Sequence, residues 1–267
     1  MKRFSLFFAS MLLGAFFLTS CLKGSSTEET ATFCVFDHGK NGTLVFKSPI
    51  GHFYAPEINN LYTSGAISPG ECYSIEIKID YKLPENATNV INANGYMTVT
   101  LLKDPESVPQ FELNPFLTDI TTILPGEIPL QRINPHGGMT NYLFMEQDLH
   151  HASDVELEWI VSYDPSMMPK EEYGKRYYDI YIRATVARDS QQPKSTIKRL
   201  TAYYMGSYLR DAAIQEQYYL TSINNYTPSS TFTIRYHYVT GLDMAENRVF
   251  WANGTLEAPI YIFLEDY

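Results

Sequence analysis

The sequence predicts an all-β chain in two parts: a small OB-like barrel, then an antiparallel β-sandwich with one helical insert. Three observations carry this. Apolar residues alternate with polar ones at Tyr73, Ile75, Ile77, Ile79 and Tyr81, and again at Val155, Leu157, Trp159, Val161 and Tyr163. The same rhythm returns at Tyr178, Ile180, Ile182, Ala184 and Val186, and at Phe232, Ile234, Tyr236 and Tyr238. A period of two puts one face of a strand in a core and the other in water. Turn signals separate these runs, among them Asn41-Gly42, Ser68-Pro69-Gly70 and Gly241-Leu242-Asp243. Tyrosine, which favours strands, occurs 21 times.

The chain opens with Lys2 and Arg3, then an uncharged apolar run from Phe4 to Leu18, then Leu18-Thr19-Ser20-Cys21. A short positive segment, an apolar segment and small residues at a cut site mark a secretory signal. The run is shorter than the roughly 20 residues a membrane-spanning helix needs. The cysteine directly after Leu-Thr-Ser matches the lipoprotein pattern, with cleavage before Cys21 and lipid on Cys21. Residues 1–20 are therefore expected to be a lipoprotein signal peptide and residues 21–32 a lipidated tether. Lys23, Gly24, Ser25, Ser26, Thr27, Glu28, Glu29 and Thr30 offer such a tether little to bury. The expected address is the outer membrane, on its periplasmic or cell-surface face, with the membrane contacted through acyl chains such as palmitate.

Residues 33–107 are expected to form the OB-like barrel. Phe33–Phe36, Thr43–Phe46, Ile50–Tyr54, the Tyr73–Tyr81 run and Tyr96–Leu102 read as five short strands, with polar loop between Leu83 and Ala93. A closed barrel leaves no sheet edge exposed. Pro105 and Pro109 bracket the boundary to a sandwich over residues 108–267. There Asn134 to Gly138 reads as a loop and Tyr142 to Met145 as a strand. Leu200, Tyr204, Tyr208 and Ala212, four residues apart, read as one stripe of a helix between Ser195 and Gln217, with a strand and a loop as the alternative because Gly206 falls inside it. Arg248–Ala252 and Ala258–Leu264 read as closing strands. No repeat at fixed spacing is present, which argues against a propeller or solenoid.

Composition narrows the function. The chain has 267 residues, 45% hydrophobic, and a net charge of −10, which loss of Lys2 and Arg3 with the signal makes more negative. Such a chain repels phosphate backbones, so nucleic acid is not an expected partner. Of three cysteines, Cys21 takes lipid. Cys34 and Cys72 are either a disulfide, in a compartment that permits one, or two buried thiols.

This layout resembles the NigD-like lipoproteins of the Bacteroidetes. The resemblance rests on the lipobox at Cys21, the short tether and an OB-like first domain. It rests also on Pro69-Gly70-Glu71-Cys72-Tyr73-Ser74-Ile75, a glycine turn leading into an alternating strand, with a larger β-sandwich to the C-terminus. It brings no catalytic residue and no cofactor.

The chain carries no Gly-x-Ser-x-Gly, His-Glu-x-x-His, Walker or Rossmann motif. His150 and His151, with Glu146, Asp148 and Asp154, are expected in a solvated loop and hold no metal, because adjacent side chains diverge. Glu156 and Glu158 share one strand face and are expected to be exposed. Trp159 is expected in the core. Trp251, beside Asn253-Gly254, is the better candidate for ligand binding, with Asn253, Tyr236 and Tyr238. The expected function is a non-catalytic binding or structural role at the envelope, toward a protein or glycan. The alternatives are a glycan hydrolase using a carboxylate pair, or a fimbrial subunit donating Ala258–Leu264 as an edge strand.

Overall fold

The computed structural model describes residues 26–114, 119–164 and 166–264. The predicted signal segment and Cys21 lie outside these residues. The chain is all-β with one long helix.

The first sheet holds β1 (Thr27–His38), β2 (Leu44–Ser48), β3 (Gly51–Tyr54), β4 (Cys72–Asp80), β5 (Met97–Leu101) and the short β6 (Glu106–Ser107). Its order is β1-β2-β3-β5-β4-β6, and β1 also pairs with β4, which closes the barrel. β1 is much longer than the sequence indicated. Thr27 to Val35 run antiparallel to Asp80 to Cys72, so residues 27–32, expected as tether, are barrel wall. Glu28 accepts a hydrogen bond from Tyr81 Oη at 2.6 Å, and Glu29 lies 3.7 Å from Lys78 Nζ. The polar composition of that stretch reflects a strand with one solvated face. The alternation in β4 puts Tyr73, Ile75, Ile77 and Ile79 into the barrel core with Phe36, Phe46 and Phe53. The polar stretch after Leu83 contains a short helix, Thr88–Asn94, ended by Gly95 at φ 78°. Glycine adopts that left-handed geometry without Cβ strain.

The second sheet holds β7 (Gln110–Asn114), β8 (Glu127–Ile128), β9 (Leu130–Met139), β10 (Tyr142–His151), β11 (Glu156–Tyr163), β12 (Lys170–Glu172), β13 (Lys175–Arg188), β14 (Ser195–Tyr204), β15 (Thr231–Asp243) and β16 (Arg248–Pro259). Its main path is β16-β15-β13-β11-β7-β14-β10-β9. The sheet curls until its first and last strands nearly meet, and its core fills the inside. Leu143, Met145 and Tyr203 from one side meet Trp159, Ile180 and Ile234 from the other. Three pairings are parallel, where the sequence predicted antiparallel throughout. β7 runs parallel to both β11 and β14, and β13 runs parallel to β15. The helix Tyr208–Ser222 supplies the long crossover that a parallel β13–β15 pair requires.

Three local readings change. Ser195–Tyr204 is strand, and the helix starts only at Tyr208; Leu200 and Tyr204 therefore belong to a sheet, and Gly206 at φ 53° makes the turn between. Asn134 to Gly138 lies within β9, paired to β10 across a bulge that absorbs its proline and glycines. Beyond Pro259 the chain forms a 3-10 turn, Ile260–Phe263, instead of a strand. Phe263 packs edge-to-face on Phe232 at 5.6 Å. A Cβ on Gly138 would lie 2.8 Å from its ring, so glycine there lets the terminal turn seal the seam beside β9.

A third apolar cluster joins the domains. Val35 and Cys72 from the barrel meet Met139, Phe144 and Ala202 from the second sheet. Phe33 stacks on Phe144 at 6.0 Å and meets His136 edge-on at 4.7 Å. Tyr142 Oη donates to Gly70 O at 2.8 Å. This cluster also decides the fate of the cysteines. Cys34 is opposite Tyr73 and Val35 is opposite Cys72 in the β1–β4 register. Cys34 thus faces the barrel core and Cys72 the domain interface. Both are free buried thiols, and the candidate disulfide is absent because the side chains leave opposite faces of one strand pair.

Candidate recognition surface

The outer face of β13, β15 and β16 carries a continuous ridge of aromatic and charged side chains. Its centre is Asp179, whose side chain is 6% exposed. Arg235 grips it with two bonds, Nε to Oδ1 at 2.6 Å and Nη2 to Oδ2 at 3.0 Å. Lys170 Nζ lies 3.0 Å from Oδ2 and His237 Nε2 3.1 Å from Oδ1. Burial alone would raise the Asp179 pKa. The hydrogen bonds from His237, Arg235 and Lys170 outweigh it and hold the carboxyl well below the usual range. The site is therefore a fixed carboxylate held by three donors.

From this hub the ridge runs both ways. Tyr181 stacks on His237 at 4.7 Å, and Trp251 meets Tyr181 edge-on at 5.6 Å. Trp251 lies over the Arg183 guanidinium at 5.7 Å and donates Nε1–H to Ile120 O at 2.9 Å. Arg183 is fully buried and makes a fork to Glu127, Nε to Oε1 at 2.6 Å and Nη2 to Oε2 at 2.7 Å. It also donates to the carbonyls of Asp119 and Thr122. Trp251 therefore covers a buried ion pair and pins a loop.

In the other direction the ridge reaches the β12–β13 hairpin. Its two turn residues, Tyr173 and Gly174, have φ of 53° and 75°. Positive φ at both central residues is the twist-compatible hairpin turn, which ordinarily calls for Asn-Gly. A tyrosine there is strained, and its side chain is fully exposed. Each side of the hairpin carries an arginine laid on a tyrosine. Arg235 covers Tyr177 at 4.6 Å, and Arg176 covers Tyr219 of the long helix at 3.9 Å. Arg176 is fixed by Glu171 and Glu216, each at 2.9 Å. Met168 and Tyr218 beside them are 72% exposed.

The four predicted binding residues do not converge. Trp251 is opposite Val239 and Asn253 opposite His237, on the outer face. Tyr236 and Tyr238 pair with Gly254 and Ala252 and point inward, Tyr236 into the core. Asn253 is exposed. His150 and His151 sit at the end of β10, not in a loop. They diverge as the strand period requires: His150 is exposed, whereas His151 is buried and accepts the Ala152 N–H at Nδ1. Glu156 and Glu158 are exposed, and Glu156 pairs with Arg188. Among the described residues no cluster of three or more His, Cys, Asp or Glu has the geometry to hold a metal. Sequence reading missed the hairpin because Tyr173-Gly174 lies in a charged stretch with no alternation. The one available signal was the glycine after Tyr173.

Fold and first domain define the class. Residues 24–105 match the family described as the lipoprotein OB domain, and the chain is an all-β protein with that domain at its N-terminal side. An uncharacterized protein from Parabacteroides merdae is 15% identical, with a TM-score of 0.72 over 86% of this chain and 99% of its own. A protein of unknown function from Bacteroides vulgatus is 10% identical, with a TM-score of 0.50 over 87% of this chain and 92% of its own. A NigD-like immunity protein from Bacteroides caccae is 13% identical, with a TM-score of 0.41 over 86% of this chain and 93% of its own. The family match falls on the first domain, where the sequence predicts an OB-like barrel. No curated protein matches the chain.

Proposed function

We propose that this chain is an outer-membrane lipoprotein, lipidated at Cys21, that recognises an envelope protein without catalysis, and that the β12–β13 hairpin is its docking tip. The observation that carries the reading is Tyr173: a large aromatic side chain in a strained turn position, fully exposed, between two arginine–tyrosine stacks. Tyrosine, arginine and methionine are the residues enriched where proteins bind proteins. The charge-paired base beneath the tip holds those side chains in place before binding, which lowers the ordering cost of association. The lipobox and the OB-domain match support the anchor.

The test is a screen of envelope proteins and glycans against the mature chain with Cys21→Ser. Saturable capture of a protein, weakened at least about tenfold by Tyr173→Ala and unchanged by Asn253→Ala, supports the reading. Capture of a glycan at the same residues would replace the partner class. Binding that survives Tyr173→Ala and Met168→Ala together would place the contact elsewhere and refute the hairpin.

A further inference from the structure

The barrel has two ends, and covalent reach decides which of them a lipid on Cys21 would hold at a bilayer. Ser26 O accepts the Tyr81 N–H at 2.8 Å, which continues the β1–β4 ladder past Thr27 and Asp80. From Cys21 to Ser26 is five residue steps, at most about 18 Å of fully extended chain. The ladder then runs from Thr27 and Asp80 to Val35 and Cys72, a length of roughly 26 Å at about 3.3 Å per residue. Val35 and Cys72 belong to the cluster that joins the two domains. The Tyr81 end is therefore tied near the lipid, and the domain junction lies farther along the ladder than that link is long.

The end so placed is a firm, partly apolar ledge. β4 stops at Asp80, and the chain turns through Tyr81, Lys82, Leu83 and Pro84. Tyr81 is 46% exposed and Leu83 37%. The buried Asn86 locks this turn to the ends of two strands. Its Nδ2 donates to Asp80 O and to Thr98 O, and its Oδ1 accepts the Thr98 N–H, each at 2.8 Å. Asp80 Oδ1 accepts the Lys82 N–H at 2.9 Å, and Tyr81 Oη donates to Glu28. A ledge ordered in advance loses little freedom on contact. Tyrosine and lysine suit a bilayer surface, where an apolar body enters the boundary and a polar tip stays at the headgroups. Lys78 and Lys82 share this end with Glu28, Glu29, Asp80 and Glu85, so attraction to anionic headgroups is not what favours the contact.

We propose that the Tyr81–Pro84 ledge rests on the lipid bilayer surface, with Tyr81 and Leu83 entering its apolar boundary, and that the barrel is a spacer holding the second domain off the membrane. The inference rests on the Cys21 lipid proposed above and is independent of the hairpin. Two side chains are too little apolar surface to hold the chain on a membrane by themselves; the covalent lipid brings the ledge there, and the ledge sets the orientation. The domain junction then stands about a ladder's length from the surface.

The test supplies the lipid chemically, so its outcome does not depend on lipidation in the cell. The mature chain is coupled through the Cys21 thiol to a maleimide lipid in phosphatidylcholine vesicles; Cys34 and Cys72 are buried and do not compete. The native tryptophans, Trp159 in β11 and Trp251 in β16, both lie in the second domain. Leu83→Trp adds a third on the ledge. Tyr62→Trp adds one beside Phe36, next to Val35 and so toward the other end of the ladder. A urea midpoint shows that each variant folds. With dibrominated phosphatidylcholine in the vesicles, the added emission of Leu83→Trp should shift to the blue and be quenched, while Tyr62→Trp and the wild type keep theirs. The quenching should persist in about 1 M salt, which screens charge beyond roughly 3 Å. No quenching in Leu83→Trp, equal quenching in Tyr62→Trp, or quenching lost in salt overturns the proposal. Palmitate labelling in cells, compared with Cys21→Ala, tests the anchor separately, so a failed anchor and a failed ledge are told apart.

Discussion

Arg183→Met should be among the most damaging single changes in the second domain. Arg183 and Glu127 have side chains with no exposed surface. The arginine makes both bonds of the fork and two more to the carbonyls of Asp119 and Thr122. Glu127 Oε2 also accepts the Leu124 N–H at 2.9 Å. Removing the arginine leaves a buried carboxylate with no counter-charge, which costs about 3–5 kcal/mol. Each carbonyl left dry adds about 1 kcal/mol or more. Against a net stability of about 5–15 kcal/mol, the variant should stand near its folding threshold. A loss of about 4 kcal/mol lowers the midpoint of a domain this size by roughly 8–16 °C. The double variant Arg183→Met with Glu127→Leu should recover at least about 2 kcal/mol relative to the sum of the single changes, because no charge is then stranded. Urea unfolding and calorimetry on the four proteins measure this. An Arg183→Met loss under about 1 kcal/mol, or a double variant equal to the sum of the singles, refutes the reasoning.

Trp251→Ala should lower stability through the same loop while leaving partner binding intact; loss of binding at unchanged stability would return Trp251 to the role the sequence assigned it. Asp179→Asn should destabilise by about 3 kcal/mol or more, since Arg235 and His237 lose a buried anion. The Asp179 carboxyl has a folded-state pKa below its unfolded value, so its contribution is present above about pH 4 and is lost as acid protonates it further down. A wild-type acid-unfolding curve that keeps its shape in Asp179→Asn would contradict this. Thiol titration of the mature Cys21→Ser chain should find Cys34 and Cys72 unreactive when folded, because burial raises both thiol pKa values, and two thiols after denaturation; a count of zero in denaturant would mean a disulfide. Palmitate labelling should vanish in Cys21→Ala, and labelling that persists would remove the anchor from that residue.

The parts of the fold that were legible in the sequence are those where one local rule decides. β4, β11, β13 and β15 alternate cleanly because each has one face in an apolar core and a more polar face outside it, although the outer Asp179 and Arg183 of β13 are themselves buried by their partners. The barrel was readable from five such short runs. Elsewhere the outcome depends on partners distant in sequence. Thr27–Thr32 reads as tether because its side chains are polar, but pairing with β4 makes it strand. Ser195–Tyr204 carries apolar residues at helical spacing, yet pairing along all of β10 makes it a strand. Parallel pairing of β7 is invisible locally, since a five-residue strand between two long ones is defined wholly by its neighbours.

The candidate sites were less legible for a related reason. Trp251 attracted attention as a rare aromatic beside a turn-like Asn-Gly, but a side chain's role follows from what lies under it. Beneath Trp251 is a buried guanidinium that needs a lid, and Gly254 is there because Tyr236 fills the space: a Cβ would lie 2.3 Å from its hydroxyl. The same logic holds for Gln147. It looks ordinary in sequence, a polar residue in a strand. It becomes informative only when the fold buries it fully and turns its amide onto Thr201 and Tyr203. Polar groups in a core are normally satisfied by the chain itself. Gln147 meets that rule with its Nε2, which donates to two hydroxyls, and breaks it with its Oε1, which is buried and accepts nothing.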